Sequence, residues 1–560
     1  MQIKRLILII ALLCAPALAT TRYIAQTAGT FSGGTACNGH TTISAATFNT
    51  TTNTAGDVNY VCGTITSAGN TNVLTVLGSG TSSLPITLKF DTGASLQSPY
   101  CPTSGNSNGC LLLSTTTSPQ SFILVDGGTP CGWNTATNTS EGACNGFIEA
   151  TASGSGLANN DGDSNGIEAL ACTGCEVRNL GIYNMYVLNT GQTDTGADYT
   201  HENFITFSGT NFKLHDCQMH DAAWGVMYYA TNGESGMQMY NNEIYNVSHA
   251  VYFSDVTAGV TASNGYIYGN YWHGFDKWNN TSDNYHIEGL HSSSNNTSSS
   301  FTGLYLYNNL IVDDSTNMYG AVYLSTTTSA LSYVNQAHIF NNLIVLNAAI
   351  GEYGMVLTGN ANSAYNNTVI NLNAGNTGGG ISWSDITANG YTFTYKNNLI
   401  QGFYMMIQDD DSGSEGGKIT SDYNAYSQCP ASGTPEGSCF QAYIPGGASN
   451  WSTFVTDSGE THSINSGLFL STTCCSGTFG LNSSYAPQST SAVRSAGANL
   501  YSTCNGQPNP GLGALCSDYL GVARPTSAAW DAGALQYNSG TTSTTGAVVQ
   551  GGVVAGGIIQ

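Results

Sequence analysis

Leu306-Tyr307-Asn308-Asn309-Leu310-Ile311 and Ile339-Phe340-Asn341-Asn342-Leu343-Ile344 are two copies of one hexapeptide: apolar, any, Asn or Asp, any, any, apolar. Earlier copies are Val177-Arg178-Asn179-Leu180-Gly181-Ile182, Leu214-His215-Asp216-Cys217-Gln218-Met219 and Met239-Tyr240-Asn241-Asn242-Glu243-Ile244. Weaker copies hold Asn366-Asn367-Thr368-Val369, Asn397-Asn398-Leu399-Ile400 and Ser421-Asp422-Tyr423-Asn424. A short strand-like run follows at variable distance, as at 225–229, 250–253, 321–324 and 354–357. The steps are 25 residues from Asp216 to Asn241, 33 from Asn308 to Asn341, 25 from Asn341 to Asn366 and 31 from Asn366 to Asn397. A propeller blade or helical repeat keeps a constant period. A floor with variable excess is expected of coils whose strands are fixed and whose loops swell. Each coil then contributes a few short strands, stacked about 4.8 Å from the next. Asn suits the bend because it tolerates left-handed backbone and can hydrogen-bond the Asn of the neighbouring coil.

These repeats, with the run Ser421-Asp422-Tyr423-Asn424-Ala425-Tyr426, resemble right-handed parallel β-helix proteins of the pectate-lyase-like superfamily. The opening Gly56-Asp57-Val58-Asn59-Tyr60-Val61, Gly63-Thr64-Ile65 and Pro85-Ile86-Thr87-Leu88-Lys89 is similar to the first coils of such proteins. Asp518-Tyr519-Leu520-Gly521, Arg524-Pro525 and Asp531-Ala532-Gly533-Ala534 resemble their closing segment. The resemblance covers roughly residues 23–537. It implies an all-β chain: a single elongated β-solenoid with an N-terminal cap. The expected divisions are a signal peptide (1–19), cap and first coils (20–84), the parallel β-helix (85–426), disulfide-containing closing coils (427–537), and a linker with an apolar Gly-rich tail (538–560). The superfamily includes lyases, hydrolases, esterases, epimerases, tailspikes and adhesins. Function must therefore be read from a site and not from the fold.

Composition agrees with stacked coils. The 560 residues hold 11 Lys+Arg against 34 Asp+Glu, so the formal charge is 11 − 34 = −23. That excludes a nucleic-acid footprint. Only 8% of residues are charged, while Gly reaches 68 and Tyr 32. Like charges repeated along a ladder would repel, whereas Asn, Thr, Ser and Tyr stack without that cost.

Lys4 and Arg5, the apolar run Leu6 to Leu13, and Ala17-Leu18-Ala19 read as a secretory signal cleaved near Ala19. The expected location is extracellular or cell-surface, with no later stretch apolar enough to span a bilayer. Export permits disulfides. Cys37/Cys62, Cys101/Cys110, Cys131/Cys144, Cys172/Cys175 and Cys429/Cys439 are short-range pairs. Cys474, Cys475, Cys504 and Cys516 allow two more bridges of open connectivity, leaving Cys217 alone.

The superfamily's familiar signatures are mostly absent. There is no Arg-Ile-Lys segment, and central cations are few: Arg178, Lys213, Lys277, Lys396 and Lys418. The concentration of chemistry lies at 198–291, which holds seven of the ten His: His201, His215, His220, His249, His273, His286 and His291. Aligning coils puts His220, Tyr245 and His273 in one column, Trp224, His249 and Glu288 in a second, and Met227, Tyr252 and His291 in a third. Asn203 aligned with Gly225 would place Glu202 in the Trp224 column. The candidate catalytic residues are His249, Asp276, Lys277, His286, Glu288 and His291. Trp224, Tyr252, Trp272 and Trp278 are candidates for lining a sugar groove. His286, Glu288 and His291 form an alternative metal set. Asp161, Asp163 and Asn165 open a Ca²⁺-loop-like run whose twelfth position is Cys172 instead of Glu. The expected partner is a polysaccharide or glycan surface. The expected function is cleavage of an extracellular polysaccharide by lyase or hydrolase chemistry. The alternative is a non-catalytic adhesin or glycan-binding solenoid. The Tyr240, Tyr268, Tyr307, Phe340, Tyr365 series reads as a sheet-face stack or an outward aromatic platform.

Overall fold

The computed structural model describes residues 19–102, 109–152, 164–186, 203–231, 233–255, 259–276, 287–294, 298–313, 318–324, 333–347, 353–373, 378–384, 391–403, 405–409, 419–427, 440–441, 455, 459–465 and 479–538. All of the expected signal (1–19) but Ala19, and all of the expected linker and tail (538–560) but Asn538, lie outside them. So do the Cys429/Cys439 pair, Cys474 and Cys475.

Three long sheets of 16, 13 and 12 strands run the length of the chain. One coil shows the order: Gln238–Tyr240 in the first sheet, Glu243–Val247 in the second, His249–Asp255 in the third, then Thr261–Tyr268 back in the first. Each strand pairs in parallel with its equivalents in the coils on either side, as Met239 does with Leu214 and Ile267. This is a three-sheet parallel β-helix. Its coils begin at Thr21–Ala25, which pairs in parallel with Val58–Val61, within the stretch expected to hold the cap and first coils.

The hexapeptide is one corner of the coil. Its first apolar residue is the last but one of a first-sheet strand, as Met239 and Leu306 are, and its last is the second of a second-sheet strand, as Ile244 and Ile311 are. Leu214, Met239, Ile267, Leu306 and Ile339 stack inside one wall; Met219, Ile244, Trp272, Ile311 and Ile344 stack inside the next. Val226, Val251, Leu290, Val322 and Met355 fill the third. Burying each such side chain contributes about 1.5–3 kcal/mol, so a strict inward pattern holds register coil by coil.

The two roles expected of one Asn are divided between neighbours. The first residue of each Asn-Asn pair takes the left-handed turn, with φ of 55° at Asn241, 53° at Asn308, 55° at Asn341, 50° at Asn366 and 62° at Asn397. The second forms a buried amide ladder. Asn242, Asn270, Asn309, Asn342, Asn367 and Asn398 each donate from Nδ2 to Oδ1 of the next, ending at Asn424, over 2.9–3.1 Å. Cys217 holds the ladder position one coil before Asn242, and its backbone N–H donates to Asn242 Oδ1 at 3.2 Å. Its thiol is buried and unbridged, and burial pushes its pKa up.

Disulfides join Cys37–Cys62, Cys101–Cys110, Cys131–Cys144, Cys172–Cys175 and Cys504–Cys516. The Cys172/Cys175 pair is therefore a loop staple.

Residues 479–537 return along the outside of the coils as a strap. Leu500, Leu515 and Trp530 pack on Tyr307 and Phe340. Tyr519 packs with Trp133, Tyr271, Leu310 and Leu343, and its hydroxyl donates to Asn138 Oδ1 at 2.8 Å. Arg524, 3% exposed, donates to Asn341 Oδ1 at 2.9 Å. The expected Tyr series is a stack, running His215, Tyr240, Tyr268, Tyr307, Phe340 with ring centroids 4.4–4.9 Å apart. The strap covers its later members, so Tyr307 and Phe340 are core and not platform.

Candidate functional site

The corner between the second and third sheets is where side chains gather. In one coil it is the single residue Ser248, between Glu243–Val247 and His249–Asp255. Its backbone N–H and that of His249 both donate to Ala223 O in the previous coil, each at 3.0 Å. Gly225 makes that approach possible. Its φ is 41°, and a Cβ there would lie 2.4 Å from His249 O. In the next coil the same corner carries the insertion that begins after Asp276 and ends before Ile287, and Glu288 opens the following strand.

The register pairs His249 with Glu288 and Tyr252 with His291. It thus brings together three of the six candidate catalytic residues. His249 Nε2 lies 2.6 Å from Glu288 Oε2, with side-chain exposures of 1% and 0%. His291 Nδ1 lies 3.7 Å from the same carboxylate oxygen and 3.5 Å from His249 Nε2. His291 is the partly exposed member, at 16%. Asp276 is exposed at the corner, and its N–H donates to Val247 O at 3.0 Å. Lys277, His286 and Trp278 lie outside the described residues.

Aromatic rings surround the cluster. Trp224 stacks on His249 with centroids 4.5 Å apart and planes at 16°. Tyr252 meets Trp224 edge-on at 4.4 Å. His291 stands between Tyr252 and Tyr323, edge-on to both at 5.4 Å. Tyr252 shares a 2.7 Å hydrogen bond with Ser293, and burial pushes its phenol pKa up, so it is protonated at neutral pH. Trp224 is itself 6% exposed and packs with Tyr186, Ala223 and Met227. Trp272 does not line a groove. Its position in the second sheet points inward, and it is 0% exposed in the solenoid core.

Ser248, missed in the sequence, fixes the state of His249. Its hydroxyl donates to Ala223 O at 2.5 Å. With that hydrogen committed, Ser248 Oγ accepts from His249 Nδ1–H, 3.0 Å away. This assignment follows from the hydrogen-bond network. It leaves Nε2 as the atom that faces Glu288.

The other described His of that window lie on other sheets. His215, on the first sheet, contacts Asp216 at 2.6 Å and Glu176 at 3.3 Å. His220 and His273, on the second, contact Asp221 at 2.6 Å and Glu243 at 3.3 Å. The density in 198–291 is therefore not one site. The expected His220, Tyr245, His273 column is present as a ring stack and extends back through Tyr183 to Phe147, at centroid spacings of 4.4–5.8 Å. These five rings are all partly exposed.

The expected alignment at Glu202 is off by one. Ile205 pairs with Val226, so Asn203, two residues before Ile205, stands opposite Trp224. Asn165 pairs with Asn203 in a strand and is 3% exposed. Glu202, Asp161 and Asp163 lie outside the described residues.

No family model and no curated protein matches the sequence. Among solved structures the chain is similar to a pectate lyase, Pel9A, at 12% identity, covering 94% of this chain and 98% of that one with a TM-score of 0.43. It is similar to the GH136 lacto-N-biosidase from Eubacterium ramulus at 11% identity, covering 65% and 64% with a TM-score of 0.39. It is also similar to PfbA, a surface adhesin of Streptococcus pneumoniae, at 13% identity, covering 67% and 85% with a TM-score of 0.32.

Proposed function

We infer that this is an extracellular, carbohydrate-active β-helix protein that cleaves a polysaccharide laid against the outer face of the third sheet. The observation that carries this reading is the His249, Glu288, His291 cluster, in which a buried imidazole–carboxylate pair backs a partly exposed imidazole between two tyrosines. An imidazole, and not a second carboxylate, stands beside Glu288. Asp255 lies six residues along the strand from His249, about 20 Å at 3.3 Å per residue, well beyond the two-carboxylate separations of glycoside hydrolysis, which leaves Asp276, exposed at the adjoining corner, as the described carboxylate a hydrolytic reading would need. The arrangement favours proton abstraction next to the carboxylate of a uronate. His291 takes the C5 proton, the C4–O bond breaks, a C4=C5 double bond forms, and the departing oxygen takes a proton from water. Trp224 and Tyr252 hold the cluster in place.

The test is a panel of uronate-containing and neutral polysaccharides, assayed in parallel for new reducing ends and for ultraviolet absorbance of unsaturated products. Absorbance that disappears in His291→Ala supports the reading. Reducing ends without absorbance would move the chemistry to hydrolysis. No turnover on any member would favour the second reading, a non-catalytic glycan-binding solenoid. That reading draws support from the partly exposed Phe147, Tyr183, His220, Tyr245, His273 stack, a row of flat apolar faces suited to sugar rings.

A further inference from the structure

We propose that His249 Nε2, Glu288 Oε2 and His291 Nδ1 hold one divalent transition-metal ion of the zinc class. The proposal concerns the same side chains as the site above and supplies that site's cofactor. With its Nδ1 on the ion, His291 would be a ligand and not the free base that takes the C5 proton, so the metal readouts below stand independently of that reaction.

Three observations converge on it. First, these three ligand atoms lie within 4.8 Å of one another, and the backbone registers that align them, His249 with Glu288 and Tyr252 with His291, belong to the sheet itself. Second, the tautomer is set for ligation. Ser248 accepts from His249 Nδ1–H, so the Nε2 lone pair faces Glu288 Oε2 at 2.6 Å. Two acceptors at that distance repel unless a proton or a cation lies between them. A bridging proton would create an ion pair with both members sealed from water, an arrangement whose desolvation cost rivals its attraction. Third, a proton joins two atoms, but here a third donor converges. His291 Nδ1 stands 3.5 and 3.7 Å from the other two, too long for good hydrogen bonds. Donors bound to a tetrahedral ion at about 2.0–2.1 Å are about 3.3–3.4 Å apart, close to those two edges of the triangle. Binding would then open only the His249–Glu288 edge.

The ligand types choose the metal. Calcium and magnesium take oxygen shells, whereas two imidazoles and a carboxylate suit zinc and its first-row neighbours. Ser248 plays the outer part usual for a metal-bound His, holding the second ring nitrogen.

The experiment uses the untagged, full-length secreted chain, stripped with chelator and dialysed. Zn²⁺ is titrated calorimetrically, and Co²⁺ is followed by visible absorption, which reports tetrahedral nitrogen and oxygen ligation without any assay of activity. The expected result is one ion per chain. Glu288→Gln and His291→Ala should abolish the stoichiometric site, and Ser248→Ala should weaken it about 10–100-fold. Thermal melts of each variant check folding, and Glu288→Gln keeps the side chain's shape. The proposal is overturned if the native chain binds no stoichiometric Zn²⁺ or Co²⁺, or if binding survives in folded Glu288→Gln and His291→Ala. Turnover by a metal-free chain would leave the polysaccharide reading standing alone. Stoichiometric metal with no turnover on any glycan would do the reverse.

Discussion

Glu288 Oε2 faces His249 Nε2 across 2.6 Å, although the two residues are separated by the whole of the coil between them. Their meeting is a product of stacking: one strand position repeated in the next coil. Activity should therefore depend on both and on their common register. Glu288→Gln and His249→Ala are each expected to lower kcat/KM by about 10²–10⁴-fold, the usual worth of positioned acid–base groups. Trp224→Ala should raise KM and lower kcat together, because it removes the ring stacked on His249. Steady-state kinetics on the best polysaccharide of the panel reads all three.

The divided Asn pair makes a sharp stability contrast. Asn309→Ala strips the acceptor from the backbone N–H and Nδ2 of Asn270 and the donor from Ile267 O. At about 1–3 kcal/mol for each buried group left unpaired, the loss should be several kcal/mol. Asn308→Gly, one residue away at a φ of 53°, should cost less than about 1 kcal/mol, since glycine takes that backbone freely. Denaturant titration of the two variants checks the difference, and equal losses would sink the account.

Cys217 stands one rung before an amide ladder that runs unbroken from Asn242 to Asn424. Cys217→Asn should extend the ladder by one rung and be neutral or stabilising in a thermal melt. Cys217→Leu keeps the backbone N–H bond to Asn242 but loses the thiol's bond to His215 O and overfills a fully buried site, so it should destabilise.

Two histidines should respond to pH with opposite signs. Burial opposes charge on His215, but the carboxylates of Asp216 and Glu176 outweigh it and raise its pKa above the ordinary value. Its contribution is complete below about pH 6.5 and fades as pH rises through the raised folded value. Burial lowers the pKa of His338, so the unfolded chain binds its proton more readily, and stability falls as pH drops below about 6.5. His215→Gln should therefore lower Tm more at pH 5.5 than at pH 8.5, whereas His338→Gln should relieve part of the acid sensitivity.

The fold was legible because the hexapeptide is short, apolar at both ends and repeated. Inward residues such as Ile244 and Ile311 and the column His249 to Glu288 follow from counting strand positions. Three kinds of feature escaped. Trp272 reads as a groove residue in the sequence because aromatic identity does not say which side of a strand faces in; its place opposite Ile244 and Ile311 does. Ser248 escaped because a lone serine carries no pattern, and its importance lies in a hydrogen bond to the preceding coil. The strap was also invisible: nothing in Tyr519 or Arg524 signals that they dock on Asn138 and Asn341, at sequence separations of 381 and 183 residues.

That strap has a consequence for the order of events as the chain is made. Coils need only their neighbours and can close as the chain emerges, but Tyr307 and Phe340 stay uncovered until the last segment arrives. For that interval the growing solenoid presents a flat, ordered aromatic surface to its surroundings, a template for association with other chains. Completion of the carboxyl end is thus the step that converts a sticky intermediate into an inert one. Truncations before residue 479 should reveal themselves as aggregates and not as shortened monomers.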